Sequence, residues 1–197
     1  MPTRALLPPT LALTLALVLA GCVSLSPDPP ASLLTLTAAR TVPAGAVASG
    51  DAATALAVIE PDTDQRLNVV RVPVQTSDST LAYLKDAIWV EKPARLFQGL
   101  LSETIRAGGT RLVVAEGDFG YSAATKLSGR LLDMGYDAAS GAVVVLYDAV
   151  LMTPDGKVRT QRFESRIPGV EPEAAAVGPA LNDAANQVAG QVAAWVG

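Results

Sequence analysis

The 197-residue chain has no histidine, one cysteine and only 5% aromatic residues. Without histidine it offers no Ser-His-Asp or Cys-His arrangement and no histidine-ligated metal, and a single cysteine rules out a multi-cysteine zinc site. Positive charge is also scarce: 15 Lys and Arg stand against 19 Asp and Glu, a formal net charge of −4. The basic residues form no cluster, so the chain lacks the electrostatic footprint that grips a phosphate backbone, and no nucleic acid partner is expected. The length is that of one domain.

Long apolar runs are missing too, apart from one. Arg4 precedes an apolar stretch from Leu11 to Ala20, which is followed by Gly21 and Cys22. The stretch falls short of the roughly 20 residues a membrane-spanning helix needs, and its flanks are those of an export signal. Leu19-Ala20-Gly21-Cys22 resembles the bacterial lipobox, which implies cleavage before Cys22 and acylation of that cysteine. The plainer alternative is an ordinary secretory signal ending at the same place. The expected layout is a signal peptide over 1–21, a lipidated tether over 22–31 and a folded domain over 32–197. At about 0.8 kcal/mol per buried CH2, several acyl chains on Cys22 hold the domain at a membrane surface. Val23 stands where lipoproteins kept at the inner membrane commonly have Asp, which favours the inner leaflet of the outer membrane, facing the periplasm.

The folded part predicts an α+β domain: a mostly antiparallel sheet with two helices packed on one face. Leucine and threonine alternate over Leu33 to Thr37, a short strand, and residues 38–53 form a loop rich in small residues. Strands are expected over Ala55 to Ile59 and Asn68 to Val74, then a hairpin turning at Lys85-Asp86 between Leu81-Ala82-Tyr83-Leu84 and Ala87-Ile88-Trp89-Val90. Pro93 opens the clearest helix, with apolar residues three and four apart up to Ile105 and Gly108-Gly109 at its end. Gly99 inside it suggests close approach of another element. Arg111 to Ala115 is a strand. Lys126 to Asp137 changes phase near Leu131-Leu132, as a β-bulge does. Ala142 to Met152 reads as a central strand covered on both faces, and Lys157 to Ile167 as one nearer the edge. A second helix carries apolar residues from Val177 to Val196 and begins or bends near Pro179.

Residues with chemical potential are few. Asp133, Asp137, Asp148 and Glu164 are carboxylates on strand-like segments, the raw material of acid-base work but equally of a solvated sheet face. Asp62-Thr63-Asp64 lacks the glycine and glutamate of a calcium loop and reads as a turn. Gly117 to Tyr121 lacks the spacing of a phosphate-binding loop. No catalytic residue, metal site or dissociable cofactor is expected; the one non-protein group is the lipid on Cys22. Of the rare aromatics, Tyr83 and Trp89 are candidates for partner contact, with core packing the competing role for Trp89 and Trp195.

Taken in order, the lipobox, the strand Asn68 to Val74, the segment Leu81-Ala82-Tyr83-Leu84-Lys85-Asp86-Ala87-Ile88-Trp89, the leucine-rich helix Arg95 to Ile105, Leu127 to Asp133, Gln161-Arg162-Phe163-Glu164 and the alanine-rich tail ending at Trp195 resemble the ABC-type transport auxiliary lipoprotein family, of the paraquat-inducible protein C type. The resemblance implies a non-catalytic envelope component working beside an ABC permease, its ATPase and a periplasmic mammalian-cell-entry (MCE) domain protein. Such systems move lipids between the two membranes. Two other roles are compatible with the residues: a lipid-binding protein with a groove between helix and sheet, and an envelope scaffold acting without a transporter.

Overall fold

The computed structural model describes residues 32–51, 53–109, 111–114 and 123–197. Their order is β1 (Leu56–Val58), β2 (Asp62–Thr63), β3 (Arg71–Ser77), β4 (Thr80–Ile88), α1 (Pro93–Ala107), β5 (Val113–Val114), β6 (Thr125–Asp137), β7 (Ala142–Met152), β8 (Val158–Pro168) and α2 (Ala174–Val196). All eight strands join one sheet in an α+β domain. The long strand β6 is its spine. Along one side of β6 lie β1, β2 and β3 in turn, all parallel to it, while β7 pairs antiparallel along its whole other side. The β3–β4 and β7–β8 pairs are antiparallel, and β1–β5 is parallel. The sheet is therefore mixed, which corrects the mostly antiparallel expectation: only the short turns of β3–β4, β6–β7 and β7–β8 force antiparallel pairing, and the long connections allow parallel returns.

Both helices pack on the same face. In β7 the odd positions Val143, Val145, Tyr147, Ala149 and Leu151 are buried and point at them. Phe97 of α1 meets Tyr147 edge-on with ring centroids 5.2 Å apart, and Trp195 of α2 meets Phe163 at 5.7 Å. Tyr147 and Phe163 are register partners, which fixes the shared face. The expected bulge in β6 falls between Leu131 and Asp133. It switches the buried set from Leu127 and Leu131 to Met134 and Tyr136, so an out-of-phase sequence still presents one apolar face. On the other face of β7, Val144 is buried, Leu146 and Val150 are half-buried and Met152 is exposed. Coverage on both faces is thus only partial.

The hairpin expected at Lys85-Asp86 is instead a bulge in a continuous β4. Four residues, Leu84 to Ala87, stand opposite Val72 alone, and Asp86 takes a left-handed φ of 58°. The chain actually reverses at Asp78-Ser79, where Ser77 Oγ and Thr80 Oγ1 lie 2.6 Å apart. Asp62 and Thr63 form a two-residue strand against Arg130 and Leu131, with the turn following at Asp64. α1 matches its prediction, but among the described residues nothing lies within 4 Å of a Cβ built at Gly99, so no described element approaches there. α2 starts five residues before Pro179 and continues through it.

Candidate functional site

Three surfaces bear on function: the open sheet face, the seam along α2 and the segment from Leu34 to Val42 that crosses the body. Cys22 lies outside the described residues, as do the tether and Gly117 to Tyr121.

Tyr83 sits on β4 opposite Pro73, and the Arg71 guanidinium lies 4.8 Å from its ring centroid. Pro73 presses on Gly135, where a Cβ would stand 2.8 Å from the proline Cγ. Gly135 pairs with Val144, and Val144 with Arg166. Tyr83, Pro73, Gly135, Val144 and Arg166 therefore form a row across five strands on the face without helices. Trp89, the other candidate, is 1% exposed and belongs to the core between helices and sheet. The structure does not bring it together with Tyr83, which lies on the other face of the sheet. Trp195 is half-buried against Phe163 with the Arg159 guanidinium 4.8 Å above its ring.

The strand carboxylates are engaged with arginines. Arg162 donates from both Nε and one terminal nitrogen to Asp148, at 2.6 Å each, and holds that carboxyl below its usual range. Hydrogen bonds from Ser140 and Arg166 lower Asp137 to about 2. Arg166 also lies 3.6 Å from Glu164. Burial raises Asp133 above the usual value against the opposing pull of Arg66, 3.6 Å away. Of these pairs, Arg162–Asp148 joins the neighbouring strands β8 and β7, and among the described residues no group of three His, Cys, Asp or Glu is placed to hold a metal.

The segment expected to be the first strand is a strap. Leu34 makes one parallel bridge to Trp89, donating to the Ile88 carbonyl at 2.7 Å and accepting from Val90 at 2.8 Å. The strap then leaves the sheet and runs along α2. Thr37 N donates to Asn182 Oδ1 at 2.8 Å, Ala39 N to Asn186 Oδ1 at 2.7 Å, and Asn186 Nδ2 returns a bond to the Thr37 carbonyl at 2.9 Å. Val42 N finally donates to Glu103 of α1 at 2.7 Å. The apolar alternation of Leu34, Leu36 and Ala38 turns those side chains toward the core. A Cβ at Gly178 would lie 2.6 Å from Leu34 Cδ2, so that glycine makes the seat for the strap's first leucine. Sequence reasoning missed both asparagines; the available signal was their spacing of four, which sets them on one face of a helix. Beyond the strap the seam between α1 and α2 opens into a groove of about 720 Å³.

Fold and surfaces together define a two-layer α+β domain tied to its N-terminal segment by a backbone-clamped strap. The family model for the ABC-type transport auxiliary lipoprotein component matches residues 35–193, and the chain belongs to that family. The crystal structure of protein XCC0632 from Xanthomonas campestris, a DUF330 protein, is similar with a TM-score of 0.67 at 20% identity, over 84% of this chain and 93% of that one. A second crystal structure, of an uncharacterized protein, has a TM-score of 0.63 at 16% identity over 73% and 92%. These likenesses show the fold. Among curated proteins none matches the chain.

Proposed function

We propose that the protein is the non-catalytic lipoprotein subunit of an MCE-type ABC transport system, docking the periplasmic lipid-transfer machinery at the inner leaflet of the outer membrane. Cys22 carries the lipid anchor, and the partners are an MCE-domain protein and the permease and ATPase behind it. The family match over 35–193 carries this reading. The strap supports it. Residues 34–42 begin 12 positions after Cys22 and are fixed to the sheet, α2 and α1 in succession, so the membrane tether holds the body at a defined point. Tethering raises the domain's effective concentration at the membrane without any catalytic group.

Docking falls on the open sheet face around Tyr83, where an aromatic ring under a guanidinium meets exposed Leu81 and the β4 edge. A photo-crosslinking residue at position 83 in intact cells is expected to capture an MCE-domain protein. Capture of no envelope transport protein from position 83, with the variant folded and membrane-bound, would overturn the docking assignment. The reading as a lipid carrier with a pocket between helix and sheet has no support in the core, which Trp89, Tyr147 and Phe97 fill.

A further inference from the structure

Three exposed apolar side chains meet where the N-terminal segment enters the body. Leu33 is 51% exposed, Val70 39% and Val90 50%. Backbone bonds hold their segments side by side: the Leu34 N–H donates to Ile88, the Leu34 carbonyl accepts from Val90, and Trp89 N donates to the Val70 carbonyl at 2.8 Å. The other exposed large hydrophobics lie elsewhere among the described residues. Leu81 is beyond the bulge at Lys85-Asp86, and Met152 pairs with Val158 beside the β7–β8 turn. Val47, 92% exposed, lies with Ala107 and Gly109 past the last turn of α1. Val90 stands instead just before Pro93, the first residue of α1, and Leu34 seats against Gly178 in the second turn of α2. The cluster therefore marks the end of the domain where both helices begin, and Val47 the end where α1 finishes, about 20 Å further along a 15-residue helix.

Single exposed hydrophobics are ordinary on a protein surface, whereas a cluster calls for a cover. The chain leading into the cluster says what that cover is. Leu33 stands eleven residues after Cys22, a reach of at most about 40 Å. An anchor at Cys22 thus draws this end of the body to the bilayer, and at so short a reach the effective concentration occupies a contact too weak to hold a free protein. Lys92, two residues after Val90, is exposed and makes no ion pair among the described residues. Its stem suits an apolar neighbour and its ammonium a layer of phosphates.

We propose that Leu33, Val70 and Val90 rest in the headgroup layer of the phospholipid leaflet that holds the anchor, so that the body stands on the membrane by this end, with Val47 directed away from it. The inference rests on the lipid anchor at Cys22 proposed above.

The test couples the full mature chain through its Cys22 thiol to a maleimide lipid in vesicles of phosphatidylethanolamine and phosphatidylglycerol, so that attachment does not depend on acylation in the cell. A photo-crosslinking residue is placed at position 33, 90 or 47 in turn. All three positions are exposed, so thermal midpoints should stay at the wild-type value. Phospholipid adducts are expected from 33 and 90 and few from 47. Val90→Asp should cut the adducts from position 33 roughly tenfold, since it removes apolar contact and puts a carboxylate against the headgroups. Adducts from 33 that Val90→Asp leaves unchanged would report nearness to the anchor alone and overturn the contact. Equal labelling from 47 and 90 would overturn it as well. Adducts from 90 to residues 22–31, or to a second copy of the chain, would put that occupant in place of the bilayer. Mass spectrometry of the protein taken from cells separates the two ideas. A bare Cys22 thiol would overturn the anchor whatever the vesicles show, and an acylated protein whose position 90 captures no phospholipid would overturn this inference alone.

Discussion

At Gly129 the backbone φ is +150°, and a Cβ there would sit 2.0 Å from the Asp148 carbonyl oxygen. Gly129→Ala is therefore expected to cost on the order of 2 kcal/mol or more, seen as a lowered midpoint in thermal or denaturant unfolding. Gly99 faces open space on α1, and Gly99→Ala should stabilise the protein by about 0.5–1 kcal/mol in the same measurement. The two glycines look alike in sequence, and only the neighbouring strand separates them. Asp137 gives a pH signature. Its folded value of about 2 lies below the ordinary carboxylate range near 4, so its contribution is complete above about pH 4 and is lost as pH falls toward 2. Asp137→Asn should flatten the acid limb of a stability-against-pH curve, and an unchanged limb would show that the Ser140 and Arg166 bonds do not persist in solution. Tyr83, a partner-contact candidate from the sequence, is half-buried on β4. Trp89 carried two readings in the sequence, core packing and partner contact, and its 1% exposure fits the first.

The elements set by local periodicity could be read directly. α1 has its proline at the start, its three-and-four spacing and its glycines at the end, and β6 shows its bulge as a break in alternation. Elements set by distant partners were misread. The strap alternates as a strand does, yet past Leu34 its hydrogen bonds go to Asn182, Asn186 and Glu103, some 61 to 149 positions away. Polar Lys85-Asp86 resembles a turn, but the partner strand converts it to a bulge. Replacing both Asn182 and Asn186 with alanine removes three bonds to the strap, at about 0.5–1.5 kcal/mol each. Hydrogen exchange at the Thr37 and Ala39 amides should accelerate while exchange in β7 stays slow. Equal protection in the double variant would mean that the leucines alone hold the strap.

For the whole molecule, sequence conveys one core and two helices but not strand direction, since a strand's alternation is the same whichever way it runs. The parallel returns of β1, β2 and β3 onto β6 depend on connections whose paths the alternation does not encode. The proposed lipid anchor belongs to this scale too. Cys22→Ala is expected to leave the 32–197 domain folded, with its unfolding midpoint unchanged, and to shift it from the membrane to the soluble periplasmic fraction. A variant that stays with the membrane after a high-salt wash would show that the anchor is not what holds it there.

The bridge at Leu34 has a mechanical consequence. With Cys22 anchored as proposed, a pull on the N-terminal end would arrive first at the paired backbone of Leu34, Ile88 and Val90, ahead of the asparagine contacts on α2. Undulation of the bilayer would thereby be grounded at the rim of the sheet, which would act like the strain relief on a cable and spare the helix seam behind it.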